Sequence, residues 1–116
     1  MHELSIALSI VDGVLEEAQR RGIAQVASVY LRVGQLSGVD KEALLFSYHV
    51  ASQDTPLVAS RLVIEDVPVM IHCPTCDREQ PVREFPLLLC AECGGTGDRL
   101  VRGEELEISS LEVADD

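Results

Sequence analysis

The chain has 116 residues, enough for one domain or for a small domain carrying a metal-stapled subdomain. Its apolar share of 47% is almost entirely aliphatic, with 3% aromatic residues, and its formal net charge is −11. That charge argues against a nucleic-acid partner, which requires a basic face, and no apolar run approaches membrane-spanning length.

The first element is an amphipathic helix over Leu4–Ala18. Leu4, Leu8, Val11, Leu15 and Ala18 recur on one face, and Ser5, Ser9, Asp12 and Glu16 lie opposite. Arg20 and Arg21 suit its negative end, and Gly22 is placed to cap it. Residues 26–33 then alternate, with Ala27, Val29, Leu31 and Val33 on one side of a half-buried strand. After a loop at Gly34–Gly38, Asp40 can N-cap a second helix over Lys41–Ser52. Ala43, Leu44, Leu45, Phe46 and Val50 make that helix apolar almost all round, which predicts that it is well covered. Ser60–Val67 alternates again as a strand that Pro68 ends, and Glu104–Val113 forms a last strand.

Between those last two strands lie all four cysteines, as Cys73-Pro74-Thr75-Cys76 and Cys90-Ala91-Glu92-Cys93. Two C-x2-C pairs, thirteen residues apart, put two thiolates on each of two tight turns, the arrangement a tetrahedral Zn²⁺ takes. The interval is just under the usual span of roughly fifteen to twenty residues, so a short ribbon is expected. Gly94 and Asp77 each follow a pair, where such a knuckle needs a left-handed residue. Disulfides are one rival reading, but a bridge within C-x2-C closes only a tiny loop. A thioredoxin-like redox pair is another, but neither pair has helical sequence after it, and four thiolates alone also suit iron. The start Met-His-Glu is not a basic segment with an apolar core, and a cytoplasmic location is expected. Within 72–103, Arg78, Arg83, Arg99 and Arg102 face Asp77, Glu79, Glu84, Glu92 and Asp98, so the segment has no basic stripe for nucleic acid.

The pattern is α+β: two helices with a small three-stranded mixed sheet, plus an inserted four-cysteine zinc-ribbon subdomain. Residues 1–71 and 101–116 form one domain and residues 72–100 the metal-binding one. No catalytic triad, phosphate loop or H-E-x-x-H is present, and the chain is expected not to be an enzyme. His2 has two readings. Its imidazole and backbone nitrogen, with the α-amine of Met1, can close chelate rings suited to Ni²⁺ or Cu²⁺, with Glu3 or Asp40 supplying a further donor. Alternatively, Met-His-Glu is only a helix start, with Glu3 near the positive end of the dipole. His49 reads as a packed or solvated helix residue, and His72 as a strand residue or a donor to a thiolate.

Met1-His2-Glu3-Leu4-Ser5, then Val33-Gly34-Gln35-Leu36-Ser37, then the two C-x2-C pairs resemble, in order and over essentially the whole chain, the HypA/HybF hydrogenase-maturation nickel chaperones. The resemblance implies a metallochaperone that binds Ni(II) at its N-terminus through His2, with Met1 and Glu3 contributing backbone or side chain and Asp40 a further candidate ligand. It implies structural Zn(II) held by Cys73, Cys76, Cys90 and Cys93. It also implies a HypB-type GTPase and the large subunit of [NiFe]-hydrogenase as partners, and it leaves a homodimer open. The alternative from another class is a zinc-ribbon module for protein or nucleic acid without nickel transfer.

Overall fold

The computed structural model describes residues 2–84 and 86–114. Its elements are α1 (Glu3–Arg21), β1 (Val26–Gly34), α2 (Lys41–Ala51), β2 (Arg61–Val67), β3 (Met70–Cys73), β4 (Arg78–Glu84), β5 (Leu87–Cys90), β6 (Arg99–Arg102) and β7 (Leu106–Val113). The chain divides into two compact units. One comprises Met1–Arg32, Gly38–Glu65 and Glu107–Asp116, and the other Val33–Ser37 and Asp66–Leu106.

In the first unit α1 packs against α2. α1 runs three residues beyond the expected Ala18 and α2 ends at Ala51, while the expected caps at the end of α1 and the start of α2 are in place. Gly22 stands in the left-handed region (φ 66°) and its N–H returns to the carbonyls of Ala18 and Gln19. Asp40 accepts the Ala43 N–H at 3.2 Å, satisfying one orphan donor of α2. The core joins Ala7, Ile10, Val11, Val14 and Ala18 of α1 to Val26, Val29 and Leu31 of β1, Leu44 and Tyr48 of α2, and Leu57 and Leu62. Leu4 and Leu8, placed by their spacing on the covered face, are instead half exposed, because the buried stripe of α1 centres on Ala7 and Val14. The expected coverage of α2 is also corrected. Only Leu44 and Tyr48 are buried, while Leu45 and Val50 are exposed and Phe46 is 69% exposed. One neighbouring helix covers one side of α2, and a nearly all-round apolar sequence does not supply a second.

Three strands in the order β2-β1-β7 make the mixed sheet. β7 runs antiparallel to β1: the Gly34 N–H donates to Glu105 O (2.7 Å) at one end, and the Ala114 N–H to Gln25 O (3.0 Å) at the other. The chain between β2 and β7 builds a second sheet in the order β5-β4-β3-β6. Two of its four-residue strands, the inner β3 and the edge strand β6, were not visible in the periodicity. They pair antiparallel through Ile71↔Leu100 and His72↔Arg99, which frames the cysteine segment.

The second unit also takes in Val33–Ser37, the end of β1 and the loop beyond it. Here the backbone is stitched on both sides. The Leu36 N–H donates to Gly103 O (2.6 Å) and the Gln35 N–H to Val67 O (3.0 Å). A Cβ on Gly34 would lie 2.1 Å from Gly103 O, so only glycine fits this crossing.

Candidate metal centre

The ladder of the second sheet positions the sulfurs. β3 pairs with β4 in the register Ile71↔Gln80 and Cys73↔Arg78, and β4 pairs with β5 through Val82↔Cys90. Cys73 and Cys90 therefore end strands on either side of β4, and each is followed by a tight turn. Asp77 (φ 56°) and Gly94 (φ 77°) take up the left-handed conformation expected of them. Their N–H groups close the turns, Asp77 to Cys73 O at 2.7 Å and Gly94 to Cys90 O at 2.9 Å. Two further backbone N–H groups point at sulfur: Cys76 to Cys73 Sγ (3.5 Å) and Gly95 to Cys93 Sγ (3.3 Å). Such donors stabilise thiolate charge.

The four Sγ atoms lie within 4.8 Å of one another, with Cys73–Cys93 at 3.5 Å and Cys76–Cys90 at 3.9 Å. Thiolates bound to one ion at about 2.3 Å in a tetrahedron stand about 3.8 Å apart, so this cage fits a single tetrahedral ion without rearrangement. No disulfide joins the cysteines. In the metal-free cage the thiols differ. Burial pushes Cys76 up to about 12, whereas the Cys93 backbone N–H draws Cys90 down to about 7. For Cys93 the Gly95 N–H favours the thiolate, but the hydrogen bond with the Cys73 sulfur and burial together push its thiol up.

The N-terminal residues converge on a second place. His2 is exposed and extended (φ −88°, ψ 96°) and stands just before α1. Its carbonyl accepts the Ile6 N–H at 3.2 Å, while its side chain makes no capping bond. The helix thus engages the oxygen of His2 and leaves the imidazole out of its capping. The Glu3 carboxylate accepts the Asp40 N–H at 3.1 Å, which ties the start of α1 to the start of α2. His2, Glu3 and Asp40 are therefore brought into one neighbourhood, and Met1 lies outside the described residues.

A family model described as "Hydrogenase/urease nickel incorporation, metallochaperone, hypA" matches residues 1–113. The chain belongs to the HypA family. It is 46% identical over 116 residues to the hydrogenase maturation factor HypA of Roseiflexus sp. (strain RS-1), covering 100% of this chain and 94% of that one. It is 43% identical to the HypA of Chloroflexus aggregans, covering 97% and 99%. The fold is similar to the solution structure of the Ni metallochaperone HypA from Helicobacter pylori, with a TM-score of 0.69 and 21% identity over the whole of both chains.

His72 faces carboxylates rather than a thiolate: Nδ1 is 2.9 Å from Asp98 and Nε2 3.8 Å from Asp77. His49 is exposed in the last turn of α2, where its carbonyl accepts from Gln53. A residue that sequence reading passed over is Gln80, which is buried and whose hydrogen bond to Cys76 favours that thiolate. In the orientation that satisfies its neighbours, its amide oxygen accepts from Arg78 Nε at 2.9 Å. The signal was available in the alternation of β4, where Gln80 and Val82 share the face turned to the sulfurs.

Proposed function

We propose that this chain is a nickel carrier: it binds Ni(II) at its N-terminus and delivers it during [NiFe]-hydrogenase maturation, with Zn(II) in the four-cysteine site as a structural ion. Nickel is assigned to residues 1–71 and 101–116, and zinc to residues 72–100. The observation that carries the nickel assignment is His2, extended and exposed ahead of α1, with its carbonyl committed to the helix and its imidazole outside it. The amine of Met1 and the backbone nitrogen and imidazole of His2 are the proposed donors. The backbone of Glu3 and the second carboxylate oxygen of Asp40, the one that does not cap α2, are the candidates to complete the set. A nitrogen-rich, near-planar set suits Ni(II) better than Zn(II).

Zinc is the reading for the second site because four thiolates in a closed cage match a structural ion. The buried cluster around it consists of Ile71, Cys73 and Cys90, with Cys76, Val82 and Leu100 packed against it. Half of those six residues are ligands, so the metal supplies folding free energy that apolar burial does not. The two sites differ as a courier requires: a closed staple, and an exposed cargo site with few ligands. The chain performs no chemistry of its own on this reading. It acts in the cytoplasm, receiving or passing nickel in concert with a HypB-type GTPase and the hydrogenase large subunit. The test is complementation in a host lacking its own chaperone of this type. Wild type restores hydrogenase activity at trace nickel, and His2→Ala restores it only in nickel-supplemented medium. Full activity of His2→Ala at trace nickel refutes the assignment.

A further inference from the structure

The four cysteines of the ribbon are unequally covered. Cys73 and Cys90 are fully buried, Cys76 is half-buried and Cys93 is exposed. The chain beyond Cys93 leaves that sulfur bare. Gly95 has no side chain, and a Cβ there would stand 3.3 Å from Cys93 Sγ and 3.7 Å from Thr75 Oγ1. Gly95 is not in the left-handed region, so its backbone conformation does not call for glycine. What a side chain at this position would cover is the sulfur.

On its other side Cys93 meets a partner from the first cysteine pair. Cys73 Sγ is 3.5 Å away, although the two residues are twenty positions apart in the chain. The second close pair, Cys76 and Cys90 at 3.9 Å, has no exposed member. In a metal-loaded cage all four sulfurs are thiolates, so access rather than ionisation decides which one reacts. Backbone donors do not separate Cys73 from Cys93, since each sulfur accepts one N–H, at 3.5 and 3.3 Å. An exposed thiolate beside a second sulfur that can resolve it is the arrangement of a redox-sensitive cysteine.

We infer that Cys93 is a site of oxidation by hydrogen peroxide, with Cys73 as its resolving partner, and that the ribbon gives up its ion through a Cys73–Cys93 disulfide. The inference rests on the zinc reading of the four-cysteine site. The Cys93 thiolate attacks one peroxide oxygen: an S–O bond forms, the O–O bond breaks and hydroxide leaves. Cys93 is then a sulfenic acid, oxidised by two electrons. The Cys73 thiolate attacks that sulfur: the S–S bond forms, the S–O bond breaks and a second hydroxide leaves. Two of the four ligands are consumed, and the closed cage is lost.

The test uses the full chain loaded with zinc, treated with about one equivalent of hydrogen peroxide in the presence of a zinc-sensitive dye. Remaining thiols are then alkylated in denaturant and the bridges mapped by mass spectrometry. Zinc release is expected to keep pace with an intramolecular Cys73–Cys93 bridge, with Cys76 and Cys90 recovered alkylated. Cys93→His keeps four ligands, in a Cys3His set, and is expected to slow release at least about tenfold. Gly95→Ala keeps all four thiolates, sets a methyl against Cys93 Sγ, and is expected to slow release in the same direction even if Cys93→His fails to hold zinc. A first bridge within either C-x2-C pair, a bridge between two chains, or release that Gly95→Ala leaves unchanged overturns the inference while leaving the zinc reading intact. Wild type that holds no zinc before oxidation overturns both.

Discussion

Gly34 is the most closely approached of the glycines, because Gly103 O occupies the place of a side chain. Gly34→Ala is expected to destabilise the protein by about 1–3 kcal/mol in urea unfolding. A change within a few tenths would mean that the crossing relaxes freely. Asp40 allows two roles to be separated. One oxygen caps α2 through Ala43, and Asn caps as well as Asp does. Asp40→Asn should therefore retain helix stability, and Asp40→Ala should lose about 1 kcal/mol. If Asp40 also ligates nickel, both variants weaken nickel binding equally, which isothermal titration measures. Nickel affinity that follows stability alone marks Asp40 as a cap and nothing more. At this scale the sequence was most informative where chemistry is specific: the four cysteines, Asp77, Gly94 and Asp40 all stand in the roles their types predicted. It placed Gly34 in a loop but not against Gly103, because a close approach depends on a residue 69 positions away in the chain.

Among the elements, periodicity located α1, β1, α2, β2 and β7 but did not settle how far each is covered. An apolar stripe records that a face can be buried, while the width of the neighbour decides how much of it is. Leu4, Leu8, Phe46 and Val50 remain exposed for that reason. β3 and β6, four residues each, carry too few side chains to display a period, and their place is set by a ladder between distant segments. Because half of the ribbon's cluster is ligand, Cys→Ser at 73, 76, 90 or 93 is expected to raise amide exchange across 72–100 and leave the helical circular dichroism largely intact. Loss of most helical signal would contradict separate stabilisation of the helices.

For the whole molecule, the pH response follows from the metal-free thiols. Cys90 is shifted down from an ordinary value of 9.0 to about 7. Its stabilising contribution is therefore complete above that ordinary value and is lost as pH falls through about 7. Cys76 is shifted the opposite way, to about 12, so its neutral thiol stabilises the empty cage below its ordinary value of 9.0 and ceases to as pH rises towards about 12. Metal uptake displaces the remaining protons. Zinc affinity, measured by chelator competition, is expected to fall steadily from pH 8 to pH 6. A flat profile over that range would contradict a thiolate cage.

The central claim is that the cargo site is the N-terminus, far in sequence from the cysteines. Its most direct test is Ni(II) titration of three proteins loaded with zinc: native start, His2→Ala, and a version with residues added before Met1. The account predicts a nickel site in the first that is lost in the other two, with zinc content unchanged in all three. Equal nickel binding by all three proteins would contradict it.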